Sequence, residues 1–147
     1  VSRASVTVDR EVVGSIGRGL VLLVGIEPDD TTTDVERAVE KVAALRIFPD
    51  DQGLMNRSLV DIEGSAMVVS QFTLLGNVRK GRRPSFTGAA APEIAAPLVD
   101  HFAAMMREAG IPTETGVFGA PMLLELVNEG PVTIVMDVRD GRVTDFR

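Results

Sequence analysis

The amino-acid sequence predicts an α+β fold, mainly an antiparallel β-sheet or barrel with two helices packed against it. Three observations carry that reading. Short apolar or alternating segments bounded by turn residues recur near both ends of the chain. Two longer segments place apolar side chains at helical spacing. No repeat, low-complexity tract or linker interrupts the 147 residues, so a single domain over residues 1–147 is expected.

Ala4 to Val8 and Glu11 to Ile16 read as two strands around Asp9-Arg10, and Gly19 to Ile26 as a buried strand rich in Val and Leu, so the chain is expected to open as a β-meander. Thr33-Asp34-Val35-Glu36 has the capping-box pattern, in which hydroxyl and carboxylate satisfy free N–H groups at a helix start. Val35, Val39 and Val42 then follow helical spacing, which predicts a helix to about Ile47. Pro49, Asp50, Asp51 and Gly53 form a turn. Ser65 to Leu74 is an uncharged strand, followed by a glycine-rich, basic loop from Gly76 to Gly88 with no apolar period. A long loop after a buried strand is where function is expected. A second helix should occupy much of Pro92 to Ala109, stopped by Gly110 with Pro112 beyond. Pro97 removes a helical donor, so the regular helix is expected to start near it. Thr113 to Phe118, Met122 to Val127 and Val132 to Val138 read as closing strands, the last two joined through Asn128-Glu129-Gly130-Pro131.

Composition removes several classes of function. The net charge of −6 opposes a protein that coats nucleic acid through its overall field. A local basic site remains: Arg79, Lys80, Arg82 and Arg83 cluster in one loop, while Glu27, Asp29, Asp30, Asp34, Glu36 and Glu40 gather negative charge elsewhere. A solvated loop and a solvated helix face account for the same pattern. The longest apolar run, Leu20 to Val24, is far short of the ~20 residues that span a bilayer, and Val1 to Arg10 lacks the apolar core of a secretory signal. No membrane partner is expected. The absence of cysteine fits a reducing cytoplasm, where the protein is expected to reside.

The residues present also restrict the chemistry. The one histidine, His101, lies inside a predicted helix, where a structural role is simpler than a triad. No metal is expected, because Asp29-Asp30 and Asp50-Asp51 read as turn residues and thiolate ligands are missing. Paired-carboxylate chemistry finds no acidic residue in the uncharged strands. Gly76 to Arg83 spaces two glycines as a P-loop does, but Arg82-Arg83 stands where Lys-Ser/Thr is required. A basic loop able to contact phosphates is what remains. Two segments are more specific: Ser70-Gln71-Phe72-Thr73-Leu74, polar groups beside an aromatic ring, and Asn128-Glu129-Gly130-Pro131-Val132-Thr133, a polar Gly-Pro turn between apolar strands. A strand end and an ordinary turn would also explain them.

At these residues the sequence resembles the D-aminoacyl-tRNA deacylase family, formerly D-tyrosyl-tRNA deacylases. The resemblance extends over nearly the whole chain: Val1 to Val8, Leu45-Arg46-Ile47-Phe48, Met55-Asn56, Ser70 to Leu74, Arg79 to Phe86, Thr115 to Ala120, and Asn128 to Thr133. It implies a homodimeric, β-barrel-like fold and hydrolysis of the ester of D-aminoacyl-tRNA, with L-aminoacyl-tRNA rejected, aminoacylated tRNA as partner, and neither DNA nor a cofactor involved. It further implies Gln71, Phe72 and Thr73 as catalytic residues, and Ser70, Phe118, Met122, Asn128, Gly130, Pro131 and Thr133 as substrate-binding residues. Arg79, Lys80, Arg82 and Arg83 would contact the tRNA. Family members usually begin with several more residues forming a first strand that ends in Gln-Arg, and Val1 stands just after that point of the pattern. Pro121 and the charged tail Arg139 to Arg147 also depart from the pattern.

For the chemistry, backbone N–H groups near Phe72 and Thr73, aided by Gln71, are the candidates to stabilise a tetrahedral oxyanion. Thr73 as a nucleophile would need a base, and neither motif holds histidine or lysine. Positioned water, assisted by the ribose 2′-hydroxyl of the substrate, asks less of the protein. Gly130-Pro131 is expected to be a cis peptide whose carbonyl oxygens exclude L-amino acids, and the resemblance implies that it projects into the partner's active site. A non-catalytic RNA-binding module built on the Arg79 to Arg83 loop and a structural dimer without ligand are the rival readings.

Overall fold

A computed structural model describes residues 1–145 of the chain. The opening strands form where alternation predicts them: β1 (Arg3–Val8) and β2 (Glu11–Ile16) pair antiparallel, and Asp9 and Arg10 turn between them with φ of 49° and 67°. Two successive positive φ values give the chain the twist of a tight hairpin, at some cost for a side chain as large as arginine. The expected meander ends there. β3 (Gly19–Val24) leaves this sheet and pairs in parallel with β6 (Ser65–Ser70), which pairs in parallel with β7 (Thr113–Thr115). β8 (Leu123–Val127) returns to lie antiparallel on the other side of β1. One three-stranded sheet is thus antiparallel, β2-β1-β8, and the other parallel, β3-β6-β7. No closed barrel forms among the described residues.

The two sheets and the helices make three layers. β6 explains why: Ala66 and Val68 face a core built with the helices, while Met67 and Val69 face a second core shared with Ala4, Val6 and Ile16 of the antiparallel sheet. A strand covered on both faces holds no charge, which accounts for its uncharged sequence. Helix α1 (Thr32–Ala44) presents Val35, Val39 and Val42 to the first core, and α2 (Pro92–Glu108) presents Leu98, Val99, Phe102 and Met106.

Several boundaries differ from the sequence reading. Helix α1 is capped by Thr31, not Thr33, since the Thr31 N–H and hydroxyl both donate to Asp34 Oδ2, at 2.9 and 3.1 Å. It ends at Ala44 rather than near Ile47, because the next residues lead into β4 (Phe48–Pro49), which pairs with β5 (Met55–Arg57) around the expected turn. Helix α2 starts at Pro92, with Pro97 inside it. Pro97 deprives the carbonyl of Glu93 of a donor, and both residues are exposed, so water can serve that oxygen. The strand expected from Thr113 to Phe118 ends at Thr115.

The strand expected from Val132 to Val138 is the largest discrepancy. Val132, Ile134 and Val135 remain exposed and pair with no strand among the described residues. Apolar β-branched residues favour extension, but a strand also needs a neighbour to bond. Regular structure resumes only in a hairpin of β9 (Asp137–Arg139) and β10 (Arg142–Thr144), which docks on the start of α1 through Gly141 N–H and Asp34 Oδ1, 2.8 Å apart. The last two positions of the charged tail, Phe146 and Arg147, lie outside the described residues.

Candidate active site

The buried strand β6 ends at Ser70, and the chain turns at once. Gln71 N–H still bonds to Val24 carbonyl at 2.8 Å, but Phe72–Leu75 form a 3-10 turn instead of the strand continuation expected to Leu74. The first backbone bond of the turn runs from Leu74 N–H to Gln71 carbonyl, 3.2 Å. The N–H groups of Phe72 and Thr73 precede it and take no partner among the described residues. Two adjacent free donors at the head of a turn attract negative charge. The Gln71 side-chain amide donates to the Thr73 hydroxyl, which holds both residues on the exposed side.

Two glycines to which sequence reasoning gave no packing role, Gly25 and Gly76, let this turn pack closely. A Cβ on Gly25, just past β3, would stand 2.5 Å from Leu75 Cδ2 and 3.2 Å from Gln71 carbonyl. A Cβ on Gly76 would stand 2.9 Å from Thr73 carbonyl and 3.0 Å from the ring of Phe86. Phe86 meets Phe72 edge to face, with ring centroids 5.1 Å apart. The signal for Gly25 was its place directly after an apolar run; nothing local pointed to the Phe86 contact.

The second motif is held by its own first residue. Asn128 Oδ1 accepts from Val132 N–H and Asn128 Nδ2 donates to Thr133 Oγ1, both at 3.1 Å, closing the polar loop on itself. Gly130-Pro131 inside it is a cis peptide, as expected from the sequence. Gly130 has φ of 127° and its missing Cβ would fall 2.8 Å from Val132 Cγ2, so a side chain there is excluded twice over. Gly130 and Pro131 are both exposed.

The two motifs share one cavity within this chain only through part of each. A cavity of about 920 Å³ between β3, α1 and the segment following β8 is lined by Leu74, Leu75, Asn128, Gly130 and Thr133, while Ser70, Gln71, Phe72, Thr73 and Pro131 stand outside it. Met122 belongs to the second core and its sulfur packs over Gly116, and Phe118 is exposed on the loop between β7 and β8. The basic loop is a short clip: Asn77 and Ser85 exchange two backbone bonds of 2.7 and 2.9 Å, and Arg79, Lys80, Arg82 and Arg83 hang exposed beyond them. None of the four forms an ion pair among the described residues, so they do not pair with the acidic helix. His101 sits on α2 with its Nε2 3.3 Å from Glu36 of α1, a contact between the two helices.

Fold and motifs together define a deacylase: the family model described as D-Tyr-tRNA(Tyr) deacylase matches residues 1–137. The chain belongs to that family. It is 59% identical to a protein of Chloroflexus aurantiacus named D-aminoacyl-tRNA deacylase, over 97% of this chain and 89% of the relative. A protein of Thermomicrobium roseum with the same name is 61% identical, over 97% and 92%. A solved structure titled c-Myc DNA Unwinding Element Binding Protein superposes with a TM-score of 0.85 at 40% identity, covering 91% of both chains. Another, titled as a probable eukaryotic D-amino acid tRNA deacylase, shares the fold with a TM-score of 0.73 at 22% identity, over 87% of this chain and 90% of that one.

Proposed function

We propose that this chain hydrolyses the ester joining a D-amino acid to the 3′ end of tRNA, releasing free D-amino acid and tRNA and refusing the L form. The observation that carries this reading is the 59% and 61% identity, over nearly its full length, to proteins named D-aminoacyl-tRNA deacylase. The reaction is acyl transfer to water, and its difficulty is the oxyanion that forms when the carbonyl is attacked. The free N–H groups of Phe72 and Thr73 are suited to that charge, with Gln71 beside them. Thr73 has only an amide at its hydroxyl, and an amide is no base. Water is therefore the nucleophile, with the substrate's 2′-hydroxyl assisting. Ser70, Phe118 and Met122 border the substrate, and the basic loop holds phosphates.

Chiral selection is assigned to the Gly130-Pro131 carbonyls, contributed by a second copy of the chain. A main-chain wall senses which side of Cα carries the substituent and not what that substituent is, so it rejects L-amino acids while admitting many D-amino acids. A contribution in trans is supported by the exposure of Gly130 and Pro131 and of Val132, Ile134 and Val135 beside them. In a two-fold pair each loop would serve the other's turn. A cytoplasmic enzyme is the corresponding compartment; among the described residues no helix is long and apolar enough to cross a membrane. The test is a deacylation assay with D- and L-tyrosyl-tRNA: turnover of the D form alone is expected, and equal hydrolysis of both refutes the selection.

A further inference from the structure

The surface beside the 3-10 turn exposes apolar side chains, and the basic clip that follows it carries cations without ion-pair partners among the described residues. Phe72 is 56% exposed, Val78 73% and Phe86 36%. Phe86 meets Phe72 edge to face, which fixes the Phe72 ring while leaving most of it open to solvent. The Asn77–Ser85 clip ties this aromatic pair to the cations: Phe86 follows Ser85 directly, and Arg83 and Arg82 are two and three residues before Ser85. At no more than ~3.6 Å per residue, their backbones stay within about 11 Å of the clip. An open aromatic face next to cations without carboxylate partners has the two components of a surface for unpaired nucleotides, one for the base and one for the phosphate.

We propose that the Phe72 ring, braced by Phe86, is a stacking platform for an unpaired base of the substrate's single-stranded 3′ end, and that the adjacent clip carries the neighbouring phosphates. This rests on the reading that aminoacylated tRNA is the substrate, and adds a second duty for Phe72: its N–H serves the reaction centre and its ring holds the RNA. Stacking tolerates any base because every base has a π face, so the platform grips the shared end of all tRNAs without reading sequence. Duplex RNA offers no free base and should not use it.

The probe is an unacylated single-stranded RNA tetramer ending in CCA with 2-aminopurine next to that end, whose emission is quenched on stacking. The chain has no Trp or Tyr, so protein emission does not interfere. The wild type is expected to bind and quench the tetramer and to ignore a blunt duplex of the same length. Phe72→Leu should weaken binding roughly 5- to 150-fold and abolish the quench. Phe72→Tyr should retain both. Arg82→Ala with Arg83→Ala should weaken binding and reduce its salt dependence, yet leave the quench at saturation intact. An unchanged quench in Phe72→Leu with its melting temperature preserved overturns the platform, as does equal binding of the duplex. If Phe72→Leu instead turns a dimer into a monomer in sedimentation, the patch is an interface between copies and the proposal fails. Deacylation by a wild type that does not bind the tetramer overturns the platform and leaves the function standing; stacking without deacylation does the reverse.

Discussion

Thr73 and Asp34 are both short polar side chains in the first turn of a helical segment, and their partners give them different roles. The Thr73 hydroxyl faces an amide and no base, so Thr73→Ala should retain deacylation within about tenfold. Losing an oxyanion donor costs ~100- to 1,000-fold, so steady-state rates separate the two roles, and a folded, substrate-binding but inactive Thr73→Ala would make the hydroxyl the nucleophile. Asp34 is buried, and its carboxyl is held below the ordinary carboxylate value of 3.8, first by the Gly141 N–H and then by Thr31, against the opposing effect of burial. A depressed folded value means the charged form stabilises the fold above the ordinary pKa, and that contribution disappears as pH falls through the lower folded value. Asp34→Ala should cost about 1–2 kcal/mol, or ~2–4 °C of melting temperature per kcal/mol, and should remove part of the acid dependence. A variant melting as the wild type at neutral pH would contradict this. With Thr31, Thr32 and Thr33 in a row, the sequence reading placed the cap two residues late, at Thr33 with Glu36, and the Gly141 contact of Asp34 spans 107 residues.

At the level of elements, those with a local cause were legible and those that depend on a neighbour were not. Helix α1 follows from its Val35, Val39, Val42 spacing, and the Gly110 stop of α2 from a residue free to adopt φ of 83°. The Ser65 to Leu74 run illustrates the limit: hydropathy cannot distinguish a strand that continues from one that turns at Gln71, because the turn depends on Gly25 leaving space for Leu75. The basic clip was legible in composition, and its lack of ion partners among the described residues was not. Replacing Arg82 and Arg83 by Ala should weaken binding of whole tRNA and lower the slope of log affinity against log salt by about 1.4–1.8, one increment for each lost phosphate contact. Equal slopes in a salt titration would return the arginines to a solvated role.

For the whole molecule, the decisive feature is the uncovered side of Val132, Ile134 and Val135 next to the Gly130-Pro131 loop. If this strip pairs two copies, Ile134→Asp should give a folded monomer in sedimentation, because a charge buried in an apolar contact loses its water without gaining a partner. Deacylation should fall with the dimer population, since each turn needs the other copy's loop. A fully active monomer would place chiral selection within one chain.

The sequence by itself determined the α+β class, the opening hairpin, both helices, the motifs and the family they belong to, because periodicity, turn chemistry and residue identity are local properties. Tertiary structure decided the parallel pairing of β3, β6 and β7 and the turn that frees the Phe72 and Thr73 N–H groups. Each of these depends on which distant segment fills a space or accepts a hydrogen bond, and no window of neighbouring residues contains that information.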